Sequence, residues 1–234
     1  MRRRTAAAVC ALGLLLAGCG GPAKDEAPKD EGAAAALRAA RTATALAGSA
    51  AVDSVTEADG VRSLAQGSLD WSRPGAPRGR LKVRAPGVGG PAEFRVRPEA
   101  YWVRLAKPVG GRHWMRYPQQ TAQTLAPYAS VDLLLSAADA HLAGRARIRG
   151  VVATHYAGVV HASESARVRD AGVGRQSVDL WVDARGRLVK RVESGRGDGG
   201  LIRTTTYWAD FGVTVPAVPE PPAADRISAA ELSH

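Results

Sequence analysis

The stretch Leu180–Val192, LWVDARGRLVKRV, decides the fold. Polar and apolar residues alternate through Ser177–Val182 and again through Arg187–Val192, which reads as two strands, each with one wet face and one buried face. Between them lies Asp183-Ala184-Arg185-Gly186, where a glycine supplies the positive φ of a tight turn. The pair is therefore an antiparallel hairpin. Downstream, Gly195–Gly200 gives a second turn into a strand over Leu201–Phe211. Upstream, Arg147–Val160 alternates over a longer run. The same period recurs at Leu69–Trp71, Leu81–Arg84, Phe94–Arg97 and Tyr101–Leu105, with a short strand at His113–Tyr117, and Gly and Pro clusters separate these runs.

Helical signals are few. Ala33–Ala47 is rich in alanine, carries Leu37 and Leu46, and stops near Gly48. Ser130–Leu142 puts Leu133, Leu134, Ala137, Ala138 and His141 on one face, with Ser130 as its expected N-cap. Strands without regular helical crossovers argue against a parallel sheet. A long antiparallel sheet twists and curls, and two helices are too few to cover a closed barrel. The expectation is an α+β fold: a curved antiparallel β-sheet, an open half-barrel of roughly ten strands, with helices packed on the concave side.

The N-terminus has a different character. Arg2, Arg3 and Arg4 precede an apolar run over Ala6–Ala17, the layout of an export signal. That run is shorter than the ~20 residues of a membrane-spanning helix. It ends in GLLLAGCGGP, Gly13–Pro22, and LAGC at Leu16–Cys19 resembles the lipobox of bacterial lipoproteins. The resemblance implies cleavage before Cys19, a diacylglyceryl thioether on that cysteine and acylation of the new N-terminus. Residues 1–18 are then a signal peptide and 19–32, rich in Pro, Lys, Asp and Glu, a lipidated flexible tether. Residues 33–215 form the folded domain, and 216–234 a Pro-rich C-terminal tail running over its surface. Expected localisation is the extracytoplasmic face of the cell membrane, by lipid anchor. With Cys10 removed, Cys19 is the only remaining cysteine, so neither a disulfide within the mature chain nor a cysteine metal site is expected.

The chain has 234 residues and a formal charge of +10. Loss of residues 1–18 leaves 216 residues and +7, enough for one domain with a full core. Between Ser72 and Arg116 stand eleven Lys or Arg against only Glu93 and Glu99. Such a basic face suits anionic lipid headgroups, with Arg80, Lys82, Arg84, Arg95 and Arg97 as the candidate contacts. An exported lipoprotein does not meet nucleic acid, so none is expected as a partner, and the chain is expected to be a monomer.

LAGC, GVVATHYAGVV at Gly150–Val160, LWVDARGRLVKRV, and TTTYWADFG at Thr204–Gly212, in that order, resemble the actinobacterial lipoproteins of the mycobacterial LppX and LprG type. These belong to the wider fold class of the lipoprotein carriers LolA and LolB. The resemblance implies a half-barrel with helices in its mouth, an apolar cavity, and carriage of a lipid or lipoglycan in the cell envelope.

Lipid binding needs concave apolar surface and no catalytic group. The inward positions of the alternating strands supply candidates: Val83, Phe94, Val96, Tyr101, Val103, Ile148, Val152, Tyr156, Val178, Leu180 and Val182, with Leu133 and Leu134 from the helix. Each could equally be ordinary core. Trp102, Trp114, Trp181 and Trp208 are candidates for a rim. Enzyme signatures are scarce, with no G-x-S-x-G, H-E-x-x-H or P-loop motif. His155 and His161 lie about 20 Å apart along a strand, too far to share a metal. Ser163, Glu164 and Ser165 near His161 lack a third partner, and Asp179 and Asp183 fit solvated positions beside a turn. No cofactor, metal or catalytic residue is expected. The leading expectation is a membrane-anchored envelope lipoprotein that binds or carries a lipid or lipoglycan between sheet and helices. The alternative is a non-enzymatic anchored module for interaction or envelope sensing, without a lipid ligand.

Overall fold

The computed structural model describes residues 30–85, 92–117, 125–197 and 200–228. Cys10, Cys19, the signal segment and most of the tether lie outside the described residues.

The chain opens with helix α1 (Glu31–Leu46), capped by Asp30, whose Oδ1 accepts from the Ala33 amide at 3.0 Å. Ala33, Leu37, Ala40 and Thr44 form its buried stripe. Six strands follow: β1 (Ser49–Ala58), β2 (Val61–Asp70), β3 (Arg78–Arg84), β4 (Ala92–Arg97), β5 (Ala100–Val109) and β6 (Arg112–Tyr117). Then come α2 (Tyr128–Leu135), β7 (His141–Ile148), β8 (Val151–His161) and the short α3 (Ala166–Asp170). The strands β9 (Arg175–Asp183), β10 (Leu188–Gly197), β11 (Gly200–Ala209) and β12 (Arg226–Ser228) complete the fold.

All twelve strands form one sheet in the order β12-β6-β5-β4-β3-β2-β1-β11-β10-β9-β8-β7. It is an open half-barrel whose two edges are β7 and β12. Every pairing is antiparallel except β12 with β6. Two glycines allow the curl between β2 and β3. A Cβ on Gly67 would lie 1.9 Å from the Arg80 carbonyl oxygen, and one on Gly79 2.2 Å from that of Ser68.

Helices α1 and α2 pack on the concave face, mainly over β7–β10. Leu37, Val131, Leu134, Val160, Val168, Val178, Leu180 and Leu188 are fully enclosed there. Thr44 fixes the end of α1: its carbonyl accepts from Trp71 Nε1 and its Oγ1 accepts from the Leu188 amide, each at 2.9 Å.

The segment after β11 crosses the convex face. Ser49 Oγ donates to the Val213 carbonyl at 2.7 Å, and Arg97 and Arg95 donate to the carbonyls of Val218 and Pro219. Trp102 and Trp114 lie buried with Ala100 in a small cluster of their own.

Three details differ from the sequence reading. There are twelve strands, because β1 and β12 carry no clean alternation and Arg147–Val160 is a hairpin turning at Arg149-Gly150 rather than one strand. The second helix stops at Leu135, where Ser136 Oγ turns back to the Leu133 carbonyl at 2.7 Å, so His141 and Leu142 open an edge strand. Ser130 is not its cap: the helix starts after Pro127, and the Ser130 hydroxyl faces Arg191.

Candidate functional site

The helices fill only part of the concave face. Against β1–β5, β10 and β11 lies a cavity of about 190 Å³. Val52, Leu69, Leu81, Phe94, Tyr101, Leu125 and Trp208 make its apolar wall. Ser54, Thr56, Thr204 and Thr206 make a hydroxyl-bearing wall. These four pair directly across β1 and β11: Ser54 with Thr206 at 2.9 Å, and Thr56 with Thr204 at 3.1 Å. A second hollow of about 140 Å³, lined by Ala171, Val173, Gln176, Glu193 and Ile202 among others, shares Thr204 with the first. The two together reach the lower end of the ~300–1,000 Å³ range of small-molecule pockets.

A buried charged pair separates the chambers. Arg191 lines the larger and Glu193 the smaller. A bulge in β10 between Leu188 and Lys190 turns both inward, opposite Leu180 and Val178 of β9. Arg191 Nη1 donates to Ser130 Oγ at 2.6 Å and lies 3.4 Å from Glu193 Oε1, while Nε donates to Thr206 Oγ1 at 3.3 Å. Glu193 Oε2 also accepts from Arg167 at 2.8 Å and Gln176 at 3.1 Å. Burial works against the charge of Arg191 and lowers its pKa, with Glu193 opposing that effect. Burial pushes the Glu193 carboxyl up, but Arg191 and Arg167 outweigh it and hold the group below its ordinary value. Desolvation drives the Tyr101 hydroxyl well above its usual range, so Tyr101 presents an uncharged ring, tilted against that of Phe94 with the ring centres 5.3 Å apart. Among the described residues, the wall of the larger chamber carries hydroxyls and a guanidinium but no histidine or carboxylate.

The positions singled out in the sequence divide among several environments. Phe94 and Tyr101 line the larger cavity. Val96, Leu133, Leu134, Tyr156, Val178, Leu180 and Val182 belong to the solid core beneath and beside the helices. Val83 and Val103 are half-buried, Ile148 half-buried on the β7 edge, and Val152 exposed. Among the tryptophans, Trp208 faces the cavity, while Trp181 lies on the convex face, its ring stacked 4.3 Å from His155. His155 Nε2 and Asp179 Oδ1 are 2.8 Å apart. Asp183 accepts from the Arg185 and Arg187 amides of its own turn and from the Arg187 guanidinium.

Several of the basic residues are occupied within the domain. Arg80 and Arg95 share Glu93 at 2.8 and 2.9 Å, and Arg97 pairs with Glu99. Lys82 and Arg84 remain exposed. A larger hollow of about 410 Å³ lies on this convex side, between Gln66, Ser68, Arg80, Lys82 and Val215–Val218. It is a gap between the sheet surface and the C-terminal segment, whereas the concave cavity is continuous with the buried core.

Fold and cavity can now be set beside known proteins. A lipoprotein from Streptomyces coelicolor, SCO4650, so named provisionally, is 37% identical over 242 residues, covering 90% of this chain and 80% of its own. A Streptomyces griseus 31.2 kDa protein encoded in the rplA–rplJ intergenic region is 30% identical, over 85% and 79% of the two chains. The chain belongs to this family of actinobacterial lipoproteins. Its fold is shared with LppX of Mycobacterium tuberculosis (TM-score 0.56, 21% identity, 80% of this chain and 100% of that one). LprF of Mycobacterium bovis is similar at TM-score 0.51 and 20% identity, over 81% of this chain and 98% of that one. No family model matches. The protein is thus an envelope-associated lipoprotein of this family, with the fold seen in LppX and LprF.

Proposed function

We propose that this lipoprotein, anchored through Cys19 on the extracytoplasmic face of the membrane, binds an amphiphile in its concave cavity and so carries or presents it in the envelope. The observation that carries the reading is a hollow left by the protein's own helices in an otherwise solid concave core, apolar on one wall and hydroxyl-bearing on the other. Phe94 and Tyr101 contact the apolar part of the ligand, together with Leu69, Leu81 and Trp208. Lipid or lipoglycan is the ligand class that the fold of LppX and LprF supports. The chambers hold one short chain or the end of a longer one, so a large cargo needs α2 to move outward.

Extraction of the purified chain carrying Cys19→Ser with organic solvent, followed by mass spectrometry, tests this. A stoichiometric amphiphile, or saturable uptake of a fluorescent acyl probe competed by unlabelled lipid, is expected. Neither signal appearing across a panel of envelope lipids leaves the anchored interaction module as the reading.

A further inference from the structure

The larger chamber is not electrically neutral. The cluster behind it contains two cations, the buried Arg191 and the half-buried Arg167, and one buried anion, Glu193. Glu193 is held more closely by Arg167, at 2.8 Å, than by Arg191, at 3.4 Å. Arg191 is therefore the under-compensated charge, and it is the one that lines the cavity. Its Nε and Nη1 have partners, whereas Nη2 donates to no acceptor among the described residues. Beside it, Trp208 lies with the Arg191 guanidinium 5.4 Å from its ring centre, and the buried Trp208 Nε1 has no acceptor. The guanidinium edge, in the cavity wall and without an acceptor among the described residues, is the group whose free energy a ligand acceptor would lower.

We infer that the cavity selects an anionic amphiphile, a carboxylate or phosphate ester with one slender chain, whose charged group enters first and is bound by Arg191. This inference rests on the cavity being a ligand site and adds the class of ligand. The Ser54–Thr206 and Thr56–Thr204 pairs donate to the remaining anion oxygens, since each hydroxyl pair shares one hydrogen bond and keeps a second hydroxyl hydrogen free to turn. The chain then lies along Leu69, Leu81, Phe94 and Tyr101. The charge cluster reaches neutrality only with the ligand in place.

The test uses the whole chain with Cys19→Ser, so that no acyl group of its own competes, and measures calorimetric affinities for octanoate, octyl phosphate and 1-octanol at pH 8. At least one anion is expected to bind about tenfold or more tightly than the alcohol, the range of a charge-assisted hydrogen bond. The alcohol should displace that anion, showing that they share a site. Which anion wins distinguishes a carboxylate from a phosphate headgroup. Arg191→Gln should weaken the anion far more than 1-octanol and so abolish the preference, and Arg191→Lys should restore part of it. Equal affinity for all three, or a preference that survives Arg191→Gln, overturns the inference and leaves the cavity reading intact. Binding of none of them overturns both. If Arg191→Gln does not fold, Arg191→Lys tests the same point, because it keeps the charge but loses the planar fork: a preference for the anion as large as the parent's overturns the assignment.

Discussion

Replacing Ala65 by leucine should fill about half of the cavity without unfolding the protein. Ala65 lies on the concave side of β2 and is part of the wall of the 190 Å³ chamber. At about 30 Å³ for a group the size of a water molecule, the chamber has room for roughly six such groups. Leucine adds three carbons and takes about half of that space. Each methylene excluded from burial forfeits about 0.8 kcal/mol, so the affinity for 1-octanol should fall by about 2.4 kcal/mol, roughly fiftyfold. The stability change should be small, because the buried area gained by the new side chain offsets the ~1–3 kcal/mol that overpacking costs. Isothermal titration with 1-octanol gives the affinity, and urea unfolding of the same preparation gives the stability. Gln66→Leu, one residue along and on the convex face, is the control and should leave octanol binding unaltered. An octanol affinity within about threefold of the parent in a stably folded Ala65→Leu variant would refute the placement of the ligand.

Gly67→Ala should destabilise by about 3 kcal/mol or more, because its Cβ would meet backbone atoms of Arg80 that cannot turn aside, whereas Gly60→Ala, with open space around it, should cost only the ~1–2 kcal/mol of its left-handed backbone; thermal and urea unfolding compare the two. Glu193→Gln should cost about 3 kcal/mol by leaving the buried Arg191 guanidinium, and the half-buried Arg167, without their anion. The folded-state pKa of Glu193 is depressed, so its contribution is present above the unfolded value of about 4.3 and is lost as pH falls through the folded value. The stability–pH curve of Glu193→Gln should therefore be flatter than the parent's on the acid side. Thr44→Val should cost about 1–3 kcal/mol by leaving the buried Leu188 amide without its acceptor, and hydrogen exchange at that amide should accelerate.

The parts of the fold legible in the sequence are those where alternation, turn chemistry and burial agree. Asp183-Ala184-Arg185-Gly186 is such a place: Gly186 has φ of +77°, and Asp183 accepts the amides of Arg185 and Arg187. β1 was illegible for a reason tied to the site. Its inward positions beyond Val52 are Ser54 and Thr56, so the strand lacks the apolar face that marks a half-buried strand. The cavity wall escaped notice because it is hydroxylated. Arg191 and Glu193 were hidden by the β10 bulge. A regular strand would put Leu188, Lys190 and Val192 on one face; the bulge instead sets Arg191 and Glu193 on the side of Leu188. A bulge of this kind has no sequence mark, and two opposite charges two residues apart on a strand are a weak sign of a buried pair. β12 was equally obscure, since three residues after a Pro-rich run are too few to show a period.

The sheet therefore divides its work along its length. Over β7–β10 the helices and Leu180, Leu188 and Val178 make a solid core, while toward β1–β5 the same concave face is left hollow. A dry cavity of 190 Å³ costs about 4–5 kcal/mol at ~24 cal/mol per Å³, a large share of the ~5–15 kcal/mol that holds a domain together. The wall nonetheless carries small side chains at Ala65 and Ser54, which leave the space unfilled. Water bound to the hydroxyl wall reduces the cost at one end only, because the opposite wall is leucine, valine and aromatic. The buried Arg191 prevents collapse from the other direction: fastened to Ser130 of α2 and Thr206 of β11, it holds helix and sheet at a fixed separation across the chamber. A hollow kept open by a buried charge, against the interest of stability, is what a binding site requires and an inert core does not.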